Sequence, residues 1–402
     1  MEILKLKPRE DRRIRQGHLW VYSNEIDVGA TPLKDFQAGD EAVLVNDSGK
    51  PLGRVLVNPH ALICARVVSR DAEVGLDQGL LEARIADALA LRERLYPGQG
   101  CYRLVFGEGD ALSGMVVDRF GDVLSVQLST AGLERRRDLV IDALRKVVAP
   151  RSIVFKHDGG MRDIEHLEKY LDVIGEPLPE RIPLTENGVR FEISLTGGQK
   201  TGWYYDHREN RARLAPFLAE ARVLDAFSYL GAWGLQALAG GAASLMAVDG
   251  SAPALEGLGE NAALQGVADR VDLRRGDAFA VLGELADAGE RFDVVVIDPP
   301  ALIKRRKDLK AGQRAYERLA ALGMRLTRNG GLLVFGSCSL HFDRAMLREA
   351  LRGAARHVER QAHCLGVAGA GPDHPFHPAI PESDYLKAAF VRVLQPGRGG
   401  AM

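Results

Sequence analysis

Long apolar runs are what this chain most plainly lacks. No stretch of about 18 or more apolar residues occurs, so no membrane-spanning helix and no membrane partner are expected. The first residues, MEILKLKPREDRRIRQG, contain no apolar core, and a secretory signal is not expected either. Cysteine is scarce: Cys64, Cys101, Cys338 and Cys364 are scattered, with no C-x-x-C pair among them. A disulfide framework, a zinc knuckle or another metal site is therefore not read, and free thiols fit a cytoplasmic protein. Net charge is only −1, so the charge balance alone names no polyanionic partner. The sequence G-x-G-x-x-G is also missing after the first strand of the α/β half. Its absence counts against a nicotinamide-dependent oxidoreductase.

What is present is an ordinary globular composition, 46% hydrophobic and 27% charged over 402 residues, enough for two or three domains. Residues 1–72 read as short strands divided by turns, with EAVLVND, GRVLVN and LICARVVS as successive runs, and suggest a small barrel or sandwich. Residues 73–185 read as a central α+β domain. It opens with a helix over 76–96 whose apolar face carries Leu80, Ile85, Leu89 and Leu95. GEPLPERIPLTENG at 175–188 reads as a linker, and VRFEISL after it as one arm of a hairpin. Within 186–402, strands and helices alternate from 222 onward. Apolar runs such as VVVI and LLVF suit parallel strands covered on both faces, so this part is expected to be a doubly wound, Rossmann-like α/β domain.

In such a fold ligands bind beyond the carboxyl ends of the strands, and polar residues fall there in series. The first strand ends at Asp225, followed by the turn Phe227-Ser228-Tyr229-Leu230-Gly231. Gly231 and Gly234 allow close backbone approach to a ligand. Asp249 ends the second strand, placed to accept from ribose hydroxyls. Asp277 and Ala278 follow the third, where Asp277 can take an adenine amine. Asp298, Pro299 and Pro300 follow the fourth. The series favours a nucleoside cofactor.

Taken together, the DPP sequence, the acidic turn and three further segments carry a specific resemblance. Those segments are GGQKTGWYYDHRENR at 197–211, SCSLH at 337–341 and DHPFHPAIPESDYLKAAFVRVL at 373–394. The start, KPREDRRIRQGHLWVYSNEI, resembles the opening of a PUA domain. Nearly the whole chain resembles the RlmI-type 23S rRNA (cytosine-C5) methyltransferase family, which joins a PUA domain to a class I SAM-dependent methyltransferase domain. Leu230, Gln265 and Leu302 depart from that pattern, the last replacing an aromatic residue after DPP. The resemblance implies S-adenosyl-L-methionine (SAM) as cofactor and 23S rRNA or a large-subunit precursor as partner, with a homodimer left open. It also implies that Tyr205, Asp206 and Arg208, from the KTGWYYDHR element, close over the cofactor.

Cys338 decides which atom is modified. It lies at the carboxyl end of the strand GGLLVF, where its thiolate can attack carbon six of cytosine and make carbon five able to accept a methyl group. Asp298 is the candidate for holding the cytosine's amino group and ring nitrogen, and for proton transfer. His341 reads as a turn residue rather than a ligand. Two basic clusters, one containing Arg12, Arg13 and Arg15 and the other Lys304, Arg305, Arg306 and Lys307, read either as solvated faces or as RNA phosphate contacts. Two other readings stay open: a SAM-dependent guanine methyltransferase acting at N7 or N2, and a non-catalytic RNA-binding assembly factor.

Overall fold

A computed structural model describes residues 2–197 and 202–396, so Gly198, Gln199, Lys200 and Thr201 of the KTGWYYDHR region lie outside the described residues. The chain divides into two compact units. The first holds residues up to 184 together with 193–205 and 372–384, and the second holds 185–192, 206–371 and residues from 385 onward.

The first unit contains two five-stranded sheets. In one, Glu2–Lys5 pairs in parallel with Asp40–Val45, which continues through Pro51–Val57 and Ile63–Ser69 to Trp20–Tyr22. The other runs from Tyr170–Gly175 through Ser152–His157, Val123–Leu128 and Met115–Phe120 to Cys101–Phe106. Helices Gln78–Leu95 and Arg137–Val148 share its core. Asp77 caps the first of these helices, accepting from the Leu80 amide at 2.8 Å.

The apolar face expected of that helix packs against this core, joined by residues that the pattern did not name. Leu81, Ile85, Ala88 and Arg92 are buried, while Leu80, Leu89 and Leu95 are half-buried. Arg92 is fully buried on this face: it pairs with both Asp110 oxygens at 2.5 and 2.8 Å and donates to the carbonyls of Arg103 and Asp373. The proposed linker also needs correction. Ile182–Glu186 inside it forms a two-stranded hairpin with Val189–Ile193. Asn187 and Gly188, at φ +52° and +80°, make the tight turn that an Asn-Gly pair favours.

The second unit is built on a seven-stranded sheet: Arg222–Ala226, Ser244–Asp249, Val271–Arg275, Phe292–Ile297, Thr327–Ser337, Gln361–Ala368 and Lys387–Leu394, here the first to seventh strands in chain order. Their spatial order is 3-2-1-4-5-7-6, and the seventh runs antiparallel to both neighbours. The order reverses between the first and fourth strands, the switch point where an open α/β sheet leaves a crevice. Val294, Val295, Val296 and Ile297 are fully buried, as expected of a strand covered on both faces. Helix Leu309–Leu326 packs beside this part of the sheet through Tyr316, Leu319 and Met324.

Candidate active site

At the switch point the chain accepts strain to shape a turn. Phe227 and Tyr229 sit at φ +64° and +48°, a conformation costing of order 1 kcal/mol or more for each non-glycine residue. Asp249 helps hold the strained segment: one oxygen accepts from the Tyr229 amide at 3.0 Å and the other from the Ser251 amide at 2.8 Å. Gly231, at φ +82°, precedes helix Ala232–Ala239, and a Cβ there would come within 2.7 Å of Leu258.

Asp225 lies beneath this turn, fully buried. One oxygen accepts from the Gly234 amide at 3.0 Å; the other is buried without a hydrogen-bond partner, as is the Ser228 hydroxyl. Burial pushes the Asp225 carboxyl up to about 8; the carboxylates of Asp298 and Asp249 add to the rise, while the Gly234 amide and Arg211 oppose it. Its folded value therefore exceeds its unfolded value. Its contribution to stability is complete below about pH 4 and is lost as pH rises toward 8. In cofactor-free protein, Asp225→Asn should flatten this loss. The melting temperature of the variant relative to wild type should rise by several degrees between pH 5 and pH 8, and a constant difference would contradict the assignment.

Asp298, just past the fourth strand, is held from two sides. Its Oδ1 lies 3.2 Å from His207 Nε2, and its Oδ2 accepts from Trp233 Nε1 at 3.3 Å. His207 is buried. Burial alone would lower its pKa, but Asp298 and Asp206 outweigh burial and Arg211, and the net shift is upward. Asn210 Nδ2 donates to the Gly369 carbonyl at 3.0 Å and meets His207 Nδ1 at 3.1 Å, which leaves the proton of the neutral ring on Nε2, facing Asp298. On the neighbouring fifth strand, a Cβ on Gly336 would stand 2.6 Å from Asp298 Oδ1. Gly336→Ala should therefore displace this carboxylate and lower turnover about 100-fold, at a folding cost of about 1–3 kcal/mol. Turnover within twofold of wild type, measured at saturating RNA, would show that the carboxylate need not sit there.

Cys338 follows Gly336 and Ser337; it is half-buried and in no disulfide. The hydroxyls of Ser337 and Ser339, on either side of it, lie 2.9 and 2.8 Å from the Tyr316 hydroxyl. Tyr316 Oη also accepts from the Leu302 amide at 3.4 Å, and Ser339 Oγ from the Ile303 amide at 3.1 Å. One tyrosine thus ties the loop after the fourth strand to the turn carrying the thiol. Its ring stacks on Phe342, with centroids 4.1 Å apart.

The structure therefore brings Asp225, Phe227, Ser228, Gly231, Asp249, Asp298, Pro299 and Cys338 to the carboxyl end of one sheet. Asp277 is exposed and caps helix Ala278–Asp287 through the Ala280 amide at 3.1 Å. Asp206 accepts from the Tyr385 hydroxyl at 2.6 Å, and the buried Arg208 faces Glu186 at 3.9 Å. Tyr205 belongs to the first unit, where its hydroxyl donates to the Arg119 carbonyl at 3.0 Å and its ring packs on Phe120. His207, Trp233, Gly336 and Tyr316 were not named as site residues from the sequence; His207, within KTGWYYDHR, and the glycine beside SCS carried a signal.

Residues 4–70 match the family described as "PUA-like domain", and residues 151–362 match "S-adenosylmethionine-dependent methyltransferase". The chain is 35% identical to the ribosomal RNA large subunit methyltransferase I of Shewanella denitrificans, covering 97% of this chain and 99% of the relative. With the Klebsiella pneumoniae (strain 342) protein of the same name, identity is 33% over 96% and 97%. The chain belongs to the ribosomal RNA large subunit methyltransferase I family. The expected fold is borne out, including the PUA-like N-terminus. A putative SAM-dependent methyltransferase from Streptococcus mutans superposes with a TM-score of 0.82 at 18% identity, covering 98% of this chain and all of that one. SMU.776, a putative methyltransferase complexed with SAH, superposes with a TM-score of 0.84 at 19% identity, with the same coverage.

The protein is thus a SAM-dependent methyltransferase, and its switch point fits the cofactor. Two buried polar atoms, on Asp225 and Ser228, lack partners there, and the nearby carboxylates suit a sulfonium cation. Asp225, Ser228, Gly231, Asp249 and Asp277 are the residues that would hold it.

Proposed function

We propose that this enzyme methylates carbon five of a cytosine in 23S rRNA, with Cys338 as the nucleophile. The observation that carries this reading is the half-buried thiol two residues after Gly336, the glycine that Asp298 lies against, in a turn locked through Tyr316. SAM, when bound, supplies an electrophilic methyl group. The Cys338 thiolate adds to carbon six, and the electron pair released into the ring makes carbon five nucleophilic. After carbon five has gained the methyl group, a base, either water or a side chain of the site, takes its proton, and that electron pair breaks the carbon–sulfur bond to return the thiolate and the aromatic ring. Asp298, flanked by His207 and Trp233, is the candidate to hold the base: its carboxylate accepts from the amino group, and from the ring nitrogen once that nitrogen takes up a proton as the sulfur adds.

A base cannot be reached within a duplex, so the nucleotide must be extruded or single-stranded. For the phosphates, the exposed Arg12 and the exposed run Lys304–Lys307 are suited. Three of the clustered arginines already have acidic partners: Arg13 with Glu25 at 2.5 Å, Arg15 with Asp11 at 2.6 Å and Arg305 with Asp308 at 3.2 Å. Tritiated methyl transfer from SAM to deproteinised 23S rRNA, followed by nucleoside analysis, tests the reading. The label should appear in 5-methylcytidine, and recovery in a methylguanosine would overturn the cytosine assignment.

A further inference from the structure

Lys387 lies at the start of the seventh strand, directly opposite Ser337 in the antiparallel register. It is buried, and its ammonium donates to the carbonyls of Ser339 and Tyr385, each at 2.7 Å. Removing an ammonium from water costs several kcal/mol, whereas a neutral amide could satisfy two carbonyls without that penalty. The sequence therefore places a positive charge, rather than any donor, on the residue immediately after Cys338.

We propose that Lys387 is a positioning residue for the Cys338 nucleophile, its buried ammonium fixing the turn that presents the thiol and supplying a positive charge that favours the thiolate. The inference rests on the nucleophilic role of Cys338. Among the described residues, the titratable groups that the structure ties to this turn are Tyr316 from helix Leu309–Leu326, which bonds Ser337 and Ser339, Asp298 from beyond the fourth strand, which lies against Gly336, and Lys387 from the seventh strand, which bonds the Ser339 carbonyl. Asp298 and an ionised Tyr316 would oppose the thiolate; Lys387 is the cation among these groups. A nearby positive charge lowers a thiol's pKa, and the turn geometry sets the direction of attack.

The test uses the full-length enzyme carrying Cys364→Ser, which removes the exposed thiol. Cys64 is buried, and burial pushes its thiol up to about 12, leaving it slow to react. Alkylation of Cys338 by iodoacetamide is followed by peptide mass spectrometry across pH. In wild-type background its midpoint should lie below the ordinary thiol value of about 8.5. Lys387→Gln keeps a donor and removes the charge; it should raise the midpoint by about one unit and lower kcat about tenfold or more, with SAM affinity within twofold. A midpoint and kcat unchanged in Lys387→Gln would overturn the proposal. So would a wild-type midpoint at or above about 8.5, a result that does not depend on the variant folding. If 5-methylcytidine is absent from the wild-type product, the cytosine reading fails instead, so the two failures are distinguishable.

Discussion

Cys338→Ala should abolish methyl transfer, by at least about 1,000-fold, while leaving SAM binding within twofold of wild type. The size follows from the chemistry. Carbon five of cytosine gains its nucleophilicity only when a thiolate occupies carbon six, so without the sulfur the methyl acceptor is not formed. The fold should tolerate the change: the thiol is half-buried, and Tyr316 still bonds Ser337 and Ser339 on either side. Calorimetric titration with SAM separates loss of chemistry from loss of structure. Methylation of guanine at ring or exocyclic nitrogen needs no thiol and would survive the substitution. Substantial residual transfer with normal SAM affinity would therefore favour that chemistry.

Arg92→Met should destabilise the first unit severely, by about 3–5 kcal/mol. Arg92 is fully buried there and bonds Asp110 in the bidentate geometry of a guanidinium–carboxylate pair. Removing it leaves Asp110 buried and unpaired with a cation, and takes donors from the carbonyls of Arg103 and Asp373. At about 2–4 °C per kcal/mol for a unit of this size, the first unit should melt roughly 10 °C or more below wild type. Changing Asp110→Asn in the same protein should recover part of the loss, because the stranded charge is gone. A shift of only one or two degrees for Arg92→Met would mean that the pair is not buried.

The same arginine shows where the sequence stops being informative. Its position within a charged stretch, LRERL, reads as solvent-facing, and only the fold brings Asp110 and Asp373 to it. By contrast, the α/β sheet was legible because its central strands are continuous apolar runs, and the first, second and fourth have an acidic residue at their carboxyl ends, by the crevice. The Pro-rich segment before residue 188 concealed a strand because prolines dominate its composition, although Asn187-Gly188 marked the turn. At the candidate site, the strand-end positions of Asp298 and Cys338 were legible from the apolar runs before them. Trp233 and Tyr316 were not, because each reaches the cluster from a separate element and their residue types have many ordinary core roles; His207 stood inside KTGWYYDHR, but nothing in the segment singled it out from its neighbours. Tyr205 illustrates the reverse: a motif position alone does not say where the hydroxyl points, and here it meets the Arg119 carbonyl.

Covalent attack by Cys338 can be trapped with an rRNA fragment in which cytidine is replaced by 5-fluorocytidine. Fluorine at carbon five cannot leave as a proton does, so the final elimination is blocked and the sulfur remains bonded to carbon six. With SAM present, the wild-type enzyme should form a complex stable to denaturing electrophoresis, with the nucleotide mapped to Cys338 by peptide mass spectrometry. No such complex should form with Cys338→Ala. An enzyme that methylates the unsubstituted RNA yet forms no adduct, or forms one through another residue, would contradict nucleophilic catalysis by Cys338.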